Sequence, residues 1–122
     1  MKIRIKFNSV RFRLSKSEVE QFAENGFVEE QTTFVENTFV YNIRTTKNKE
    51  LSAQFNSGTL TVVVPEQLLS QWASTNMISL EHYMPVNAHT KLHILVEKYF
   101  KCIDANENED QSDYFDNPVK TC

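Results

Sequence analysis

Glycine is nearly missing from this chain: only Gly26 and Gly58 occur in 122 residues. Two isolated glycines cannot build a loop whose backbone amides cradle phosphates, so neither a dinucleotide fingerprint nor a Walker loop is present. Gly-x-Ser-x-Gly and His-Glu-x-x-His are absent too, which removes two common hydrolase signatures. The two cysteines, Cys102 and Cys122, are too few for a disulfide scaffold and have no partner at metal-ligand spacing. No apolar run approaches the ~20 residues of a membrane helix. Met1-Lys2-Ile3-Arg4-Ile5-Lys6 lacks the unbroken apolar core of a secretory signal. These absences point to a cytoplasmic chain with reduced thiols. Aspartate is missing in a different way: none occurs in residues 1–100, and four (Asp104, Asp110, Asp113, Asp116) fall within residues 104–116. Charge divides accordingly. Residues 1–100 hold eleven basic and ten acidic groups, residues 101–122 two basic and six acidic, and the whole chain carries −3.

What is present is a chain written twice. Phe7-Asn8-Ser9 recurs as Phe55-Asn56-Ser57, and a strand, a helix and a further strand follow each copy. Allowing a two-residue insertion (Gly58-Thr59) places Leu14 on Val64, Phe22 on Trp72 and Phe27 on Met77. In the first copy, residues 2–14 alternate apolar and cationic side chains in two runs joined at Asn8-Ser9, the pattern of a β-hairpin. Ser15-Lys16-Ser17-Glu18 is a capping box opening a helix that stops at Asn25-Gly26. Its stripe of Val19, Phe22 and Ala23 leaves Glu18, Glu20 and Glu24 outward. Strands are expected at 27–35 and 38–46. The second copy predicts strands at 51–55 and 59–64, a helix from Pro65 to 76, and strands at 77–83 and 91–100. With 40% apolar residues and nine phenylalanines, residues 1–101 read as one globular domain made of pseudo-repeats 2–46 and 51–100. Residues 102–122 read as an acidic tail. The expected fold is α+β and mostly β: two β-β-α-β-β units forming a small barrel or two packed antiparallel sheets, with both helices outside.

One face of the first hairpin is wholly cationic. A two-residue loop at Asn8-Ser9 would set Lys6 opposite Arg11 and Arg4 opposite Arg13, like-charge pairs that need an acidic neighbour. Arg4, Lys6, Arg11 and Arg13 are therefore the candidate anion- or partner-binding residues, and the acidic tail is a candidate to cover them in cis. The same charges on a strand face also guard an edge against aggregation. No catalytic residue, metal site or cofactor is assigned. Asp104 to Asp110 resembles an EF-hand loop but has Glu109 where glycine is needed and Phe115 where the bidentate glutamate is needed. His82, His89 and His93 fall on loop and strand, with His89 and His93 about 13 Å apart at ~3.3 Å per residue. The aromatics of Asp113-Tyr114-Phe115-Asp116-Asn117-Pro118 are read as an anchor docking the tail on the body.

The opening Met-Lys-Ile-Arg-Ile-Lys, the later Val-Glu-Lys-x-Phe-x-Cys and the closing Asp-x-Phe-x-Asn-Pro resemble a family of small uncharacterised bacterial proteins, which implies no activity. The segment Val62-Val63-Val64-Pro65-Glu66-Gln67-Leu68 is similar in shape to the swapped-hairpin barrels of AbrB-type transition-state regulators. That resemblance implies a barrel that binds DNA through basic residues. Three functional classes follow: a non-enzymatic interaction module whose cationic face engages an acidic partner or the chain's own tail; a nucleic-acid-binding barrel; and an enzyme acting on a phosphorylated small molecule. The second is disfavoured by Ser52, Gln54, Thr59 and Thr61, which stand in the second copy where the first is charged. The third needs a carboxylate or histidine facing the patch inside a pocket. Neither the partner nor the oligomeric state is legible here, and no membrane contact is expected.

Overall fold

The computed structural model describes residues 1–100 together with Asp113 and Phe115. Among these residues, eight strands and two helices follow in the order β1 (Lys2–Lys6), β2 (Ser9–Leu14), α1 (Lys16–Asn25), β3 (Phe27–Thr33), β4 (Thr38–Thr46), β5 (Ser52–Asn56), β6 (Thr59–Pro65), α2 (Glu66–Ser74), β7 (Ser79–Pro85) and β8 (Lys91–Lys98). The chain is thus a repeated β-β-α-β-β unit, mostly β, with two packed sheets and two helices. The strands do not close into a barrel. They form two open four-stranded sheets, ordered β1-β2-β8-β7 and β3-β4-β6-β5, each ending in two edge strands among the described residues.

Each sheet takes one hairpin from each half of the chain. β2 pairs in parallel with β8, and β4 pairs in parallel with β6, while the hairpin partners are antiparallel. Both sheets are therefore mixed, and neither half can complete a sheet without the other. The halves correspond at a constant spacing through the first helix: Leu14 to Val64 and Phe22 to Trp72, with no insertion. Phe7-Asn8 is thereby equivalent to Ser57-Gly58, and the recurrence of Phe-Asn-Ser is two residues out of frame. The structural counterpart of Phe55 is Ile5. Backbone bonds repeat the relation, since His93 N donates to Asn8 O as Val40 N donates to Gly58 O.

Placing the first turn at Phe7-Asn8 also corrects the pairing. Lys2 lies opposite Arg13, Arg4 opposite Arg11, and Lys6 opposite Ser9.

Period-two alternation fills the space between the sheets. Val10, Phe12 and Leu14 of β2, Ile94 and Val96 of β8, Ile43 of β4, and Leu60, Val62 and Val64 of β6 belong to one buried cluster. At one end α1 and α2 close this core with Val19, Phe22, Leu69 and Trp72. Trp72 is fully buried and its indole N–H donates to Ile78 O at 3.0 Å, which meets the polar need of a buried ring. α1 starts with the expected capping box at Ser15 and ends on Gly26, whose φ of 71° is the left-handed stop. α2 starts one residue later than its sequence suggests: Pro65 ends β6 and occupies the cap position, with Glu66 first in the helix. The four hairpin turns lie at the opposite end of the sandwich, where no described helix covers the core.

Because both helices plug the same cluster, Trp72→Ala is expected to lower stability by about 3–5 kcal/mol. Urea unfolding followed by far-UV circular dichroism would measure it, and the loss should appear in one cooperative transition. A separate early transition of one half would contradict the exchange of hairpins between sheets.

Candidate functional site

The cationic residues share the outer face of the β1-β2-β8-β7 sheet, because Lys2, Arg4 and Lys6 alternate with Ile3 and Ile5, and Arg11 and Arg13 alternate with Val10, Phe12 and Leu14. The strand beside β2 supplies the counter-charge. Arg13 is in register with Glu97 of β8, and Arg11 lies one step along the same face. Glu97 Oε1 sits 2.9 Å from Arg11 Nε and 3.8 Å from Arg13 Nε. The nearer contact is an ion pair off the line of a good hydrogen bond, since Glu97 Oε1 has no aligned donor although it is shielded from water. One carboxylate thus bridges the two arginines of β2. Arg4 and Lys6, on the edge strand, make no ion pair among the described residues. Lys2 is different: its ammonium donates to Tyr99 Oη at 2.8 Å and stands 4.2 Å from that ring's centre.

Charge changes sign across the sheet. Moving from β1 to β7, the face passes from Arg4 and Arg11 to Leu95 and then Glu81, and from Lys6 and Ser9 to His93 and Tyr83. His93 stacks flat on Tyr83 with centroids 4.2 Å apart, and its Nε2 lies 3.2 Å from Glu81. His82 is on the opposite face of β7, 3.4 Å from Glu50. His82 and His93 therefore belong to separate carboxylate pairs. Among the described residues no three His, Cys, Asp or Glu side chains gather as a metal would require. The EF-hand-like run from Asp104 to Asp110, with Cys102 and Cys122, lies outside the described residues.

Asp113 and Phe115, the described residues beyond Phe100, make their contacts elsewhere. Asp113 takes the start of α1: Ser17 N and Ser17 Oγ donate to its carboxylate at 3.0 and 2.6 Å, and Lys16 N donates to its carbonyl at 2.9 Å. Orphan amides and the positive helix end both favour a carboxylate there. The Ser17 hydroxyl, aided by Ser15, the Ser17 amide and Lys16, holds the Asp113 carboxyl below the usual aspartate range. Phe115 N donates to Tyr99 O at 2.8 Å, and its ring meets Phe100 edge-on at 5.9 Å. Phe115 packs against the core cluster, while Tyr114, Asp116, Asn117 and Pro118 of the expected anchor are outside the described residues. Beneath Phe115 lies Lys98, almost fully buried, whose ammonium is 5.3 Å from that ring and 5.9 Å from Trp72 and donates to Thr75 O at 2.8 Å. Burial pushes its pKa down.

Glu18, expected outward, turns in. The Met1 ammonium contacts Glu18 and donates to Glu30 at 2.8 Å, and Tyr41 Oη donates to Glu30 at 2.9 Å. Burial works to raise the Glu18 pKa, but the ammonium and the Ser15 amide outweigh it and hold it low.

Four of the candidate residues are thus brought to one face, two of them already paired. Sequence reasoning missed Glu97 because its place beside Arg11 and Arg13 depends on a parallel pairing between strands at opposite ends of the chain. The model of a family of unknown function, DUF7009, matches residues 1–119, and the chain belongs to that family. No curated protein and no solved structure matches it. No described helix is long and apolar enough to cross a membrane.

The depressed Asp113 pKa has a pH consequence. A carboxyl whose pKa is lower folded than unfolded stabilises above its unfolded value and loses that contribution as pH falls through the folded one. Amide exchange at Lys16 and Ser17, corrected for intrinsic rates, should accelerate on acidification below the ordinary aspartate range. In Asp113→Asn the two amides should exchange faster at neutral pH and respond little to acid. Equal, pH-independent protection in both proteins would remove Asp113 from this role.

Proposed function

We propose that this protein is a non-enzymatic interaction module whose cationic sheet face, Arg4, Lys6, Arg11 and Arg13, docks an acidic surface of a protein partner. The observation that carries the reading is the uneven neutralisation of that face. Glu97 serves the two arginines of β2, whereas Arg4 and Lys6 on β1 have no carboxylate among the described residues. Arg4 and Arg11 also stand directly opposite each other, an arrangement that costs a few tenths to ~1 kcal/mol and is relieved by an incoming anion. Long-range steering by such a patch raises association rates more than it adds affinity, and salt screens it.

The cis arrangement draws less support. The described acid of the tail, Asp113, is engaged at the start of α1 and not on β1. Nucleic acid as partner is disfavoured by symmetry: the positions equivalent to Arg4, Lys6, Arg11 and Arg13 are Gln54, Asn56, Thr61 and Val63, so these four cations have no counterparts on the other sheet. A phosphoryl-transfer site would need a free acid or base on the patch; Glu97 is held by both arginines, and His93 and Glu81, farther across the sheet on β8 and β7, face each other.

A fluorescent glutamate oligomer titrated by anisotropy at several salt concentrations tests the reading. The double variant Arg4→Glu/Lys6→Glu should weaken binding about ten-fold or more and flatten the salt slope, as expected for reversing two patch charges. Glu97→Gln should strengthen binding a few-fold by releasing Arg11 and Arg13. Equal binding by all three proteins, or tighter binding of duplex DNA than of the glutamate oligomer, would overturn the assignment.

A further inference from the structure

The uncovered end of the sandwich carries a second feature beside the cationic face. Between the hairpin turns runs a groove of about 440 Å³ with apolar walls and no charged residue in its lining. Ile5, Phe7, Phe39, Phe55, Val86 and Leu92 are among its apolar walls. Ile5 and Phe55 are equivalent positions of the two halves, as are Phe39 and Leu92, so the groove straddles the pseudo-two-fold axis. These side chains are unusually open for their size: Ile5 is 61% exposed, Phe55 67% and Phe7 94%. The helices bury the equivalent apolar surface at the other end, and here nothing described does.

Phe7 is the informative residue. Its φ is 50°, in the left-handed region that favours glycine and asparagine, and its ring packs against almost nothing. The equivalent turn in the second half uses Ser57-Gly58, the small residues such a turn prefers. Local stability would therefore be served better by a smaller residue at position 7. An exposed aromatic held in a conformation that disfavours it points to a task outside the folded chain.

The charge around the groove indicates what fills it. Arg4 and Lys6 flank Ile5 on the same strand and point to the outer face, while Lys91 borders the groove where its carbonyl accepts from Asn8 Nδ2. The second half offers only Gln54 and Asn56 at the positions of Arg4 and Lys6, so the positive charge is on one side of the axis. A second copy facing this end would offer Arg4 and Lys6 no carboxylate from its own groove lining, nor from Gln54 and Asn56. A flat membrane surface does not fill a concave slot.

We infer that the groove receives a bulky apolar side chain from an acidic peptide segment of a protein partner, with the segment's carboxylates on Arg4 and Lys6. This deepens the interaction-module reading and rests on it. The anchor supplies contact area and the acids set direction, the usual division between a buried anchor and its charged rim.

Two short fluorescent peptides test it with the full-length protein: glutamates flanking a central phenylalanine, and the same peptide with alanine at the centre. The phenylalanine peptide should bind at least ten-fold more tightly. That advantage should disappear in Phe7→Asn and Phe55→Gln, while the weak affinity for the alanine peptide persists. Phe7→Asn should show an unchanged or raised denaturation midpoint, which separates lost binding from lost folding. Arg4→Glu/Lys6→Glu should weaken both peptides. Equal affinity for the two peptides overturns the groove assignment and leaves the cationic face standing; binding of neither overturns both. Phe7-dependent binding to phosphatidylserine vesicles, or a Phe7-dependent dimer in sedimentation, would assign the groove to a membrane or a second copy instead.

Discussion

Everything in this fold depends on two parallel seams, β2 against β8 and β4 against β6. Each joins a hairpin from one half of the chain to a hairpin from the other. A parallel pair cannot be made by a tight turn and needs a long crossover, and here the whole intervening chain serves as that connection. The seam puts Ile94 and Val96 beside Val10 and Phe12 in the core, and it puts Glu97 beside Arg13 on the outside. Core and candidate surface are thus two faces of one register. A slip of one residue would send Glu97 inward and bring Val96 out among the arginines.

The same seams explain why one end of the molecule is closed and the other is not. β2 and β6 run toward their helices, and the helices meet across the axis with Phe22 and Trp72 beneath them. All four hairpin turns are sent to the far end, where no described element covers Ile5, Phe55 and their neighbours. The halves have diverged unequally around this frame. Apolar positions that face the core kept their character, as Leu14 and Val64 or Val10 and Leu60 show. The hairpin positions that are cationic on one sheet are Gln54, Asn56, Thr61 and Val63 on its twin, and that asymmetry gives the surface a direction.

Much of the local structure was legible in the residues. Period-two runs marked the strands, Ser15 with Glu18 marked the helix start, and Gly26 its stop, because each signal acts within a few positions. The repeat was legible too, but a recurring tripeptide led the alignment two residues astray in the hairpin, where Phe7 occupies a turn that composition would give to glycine. Sheet order was not legible, since nothing in the sequence says which hairpin edge meets which, and that concealed both the open sheets and Glu97. The four cations were identified by type and spacing. Which of them are already satisfied required the register of a strand more than eighty residues away.

Mapping the amide chemical shifts of isotope-labelled protein during titration with the phenylalanine-centred acidic peptide tests the groove and the cationic face together. The predicted result is a continuous patch of perturbation through Arg4, Ile5, Lys6 and Phe7, reaching Phe55 across the axis and sparing the outer face of the β3-β4-β6-β5 sheet. Perturbation centred on the start of α1, on that opposite sheet, or spread without focus would contradict it.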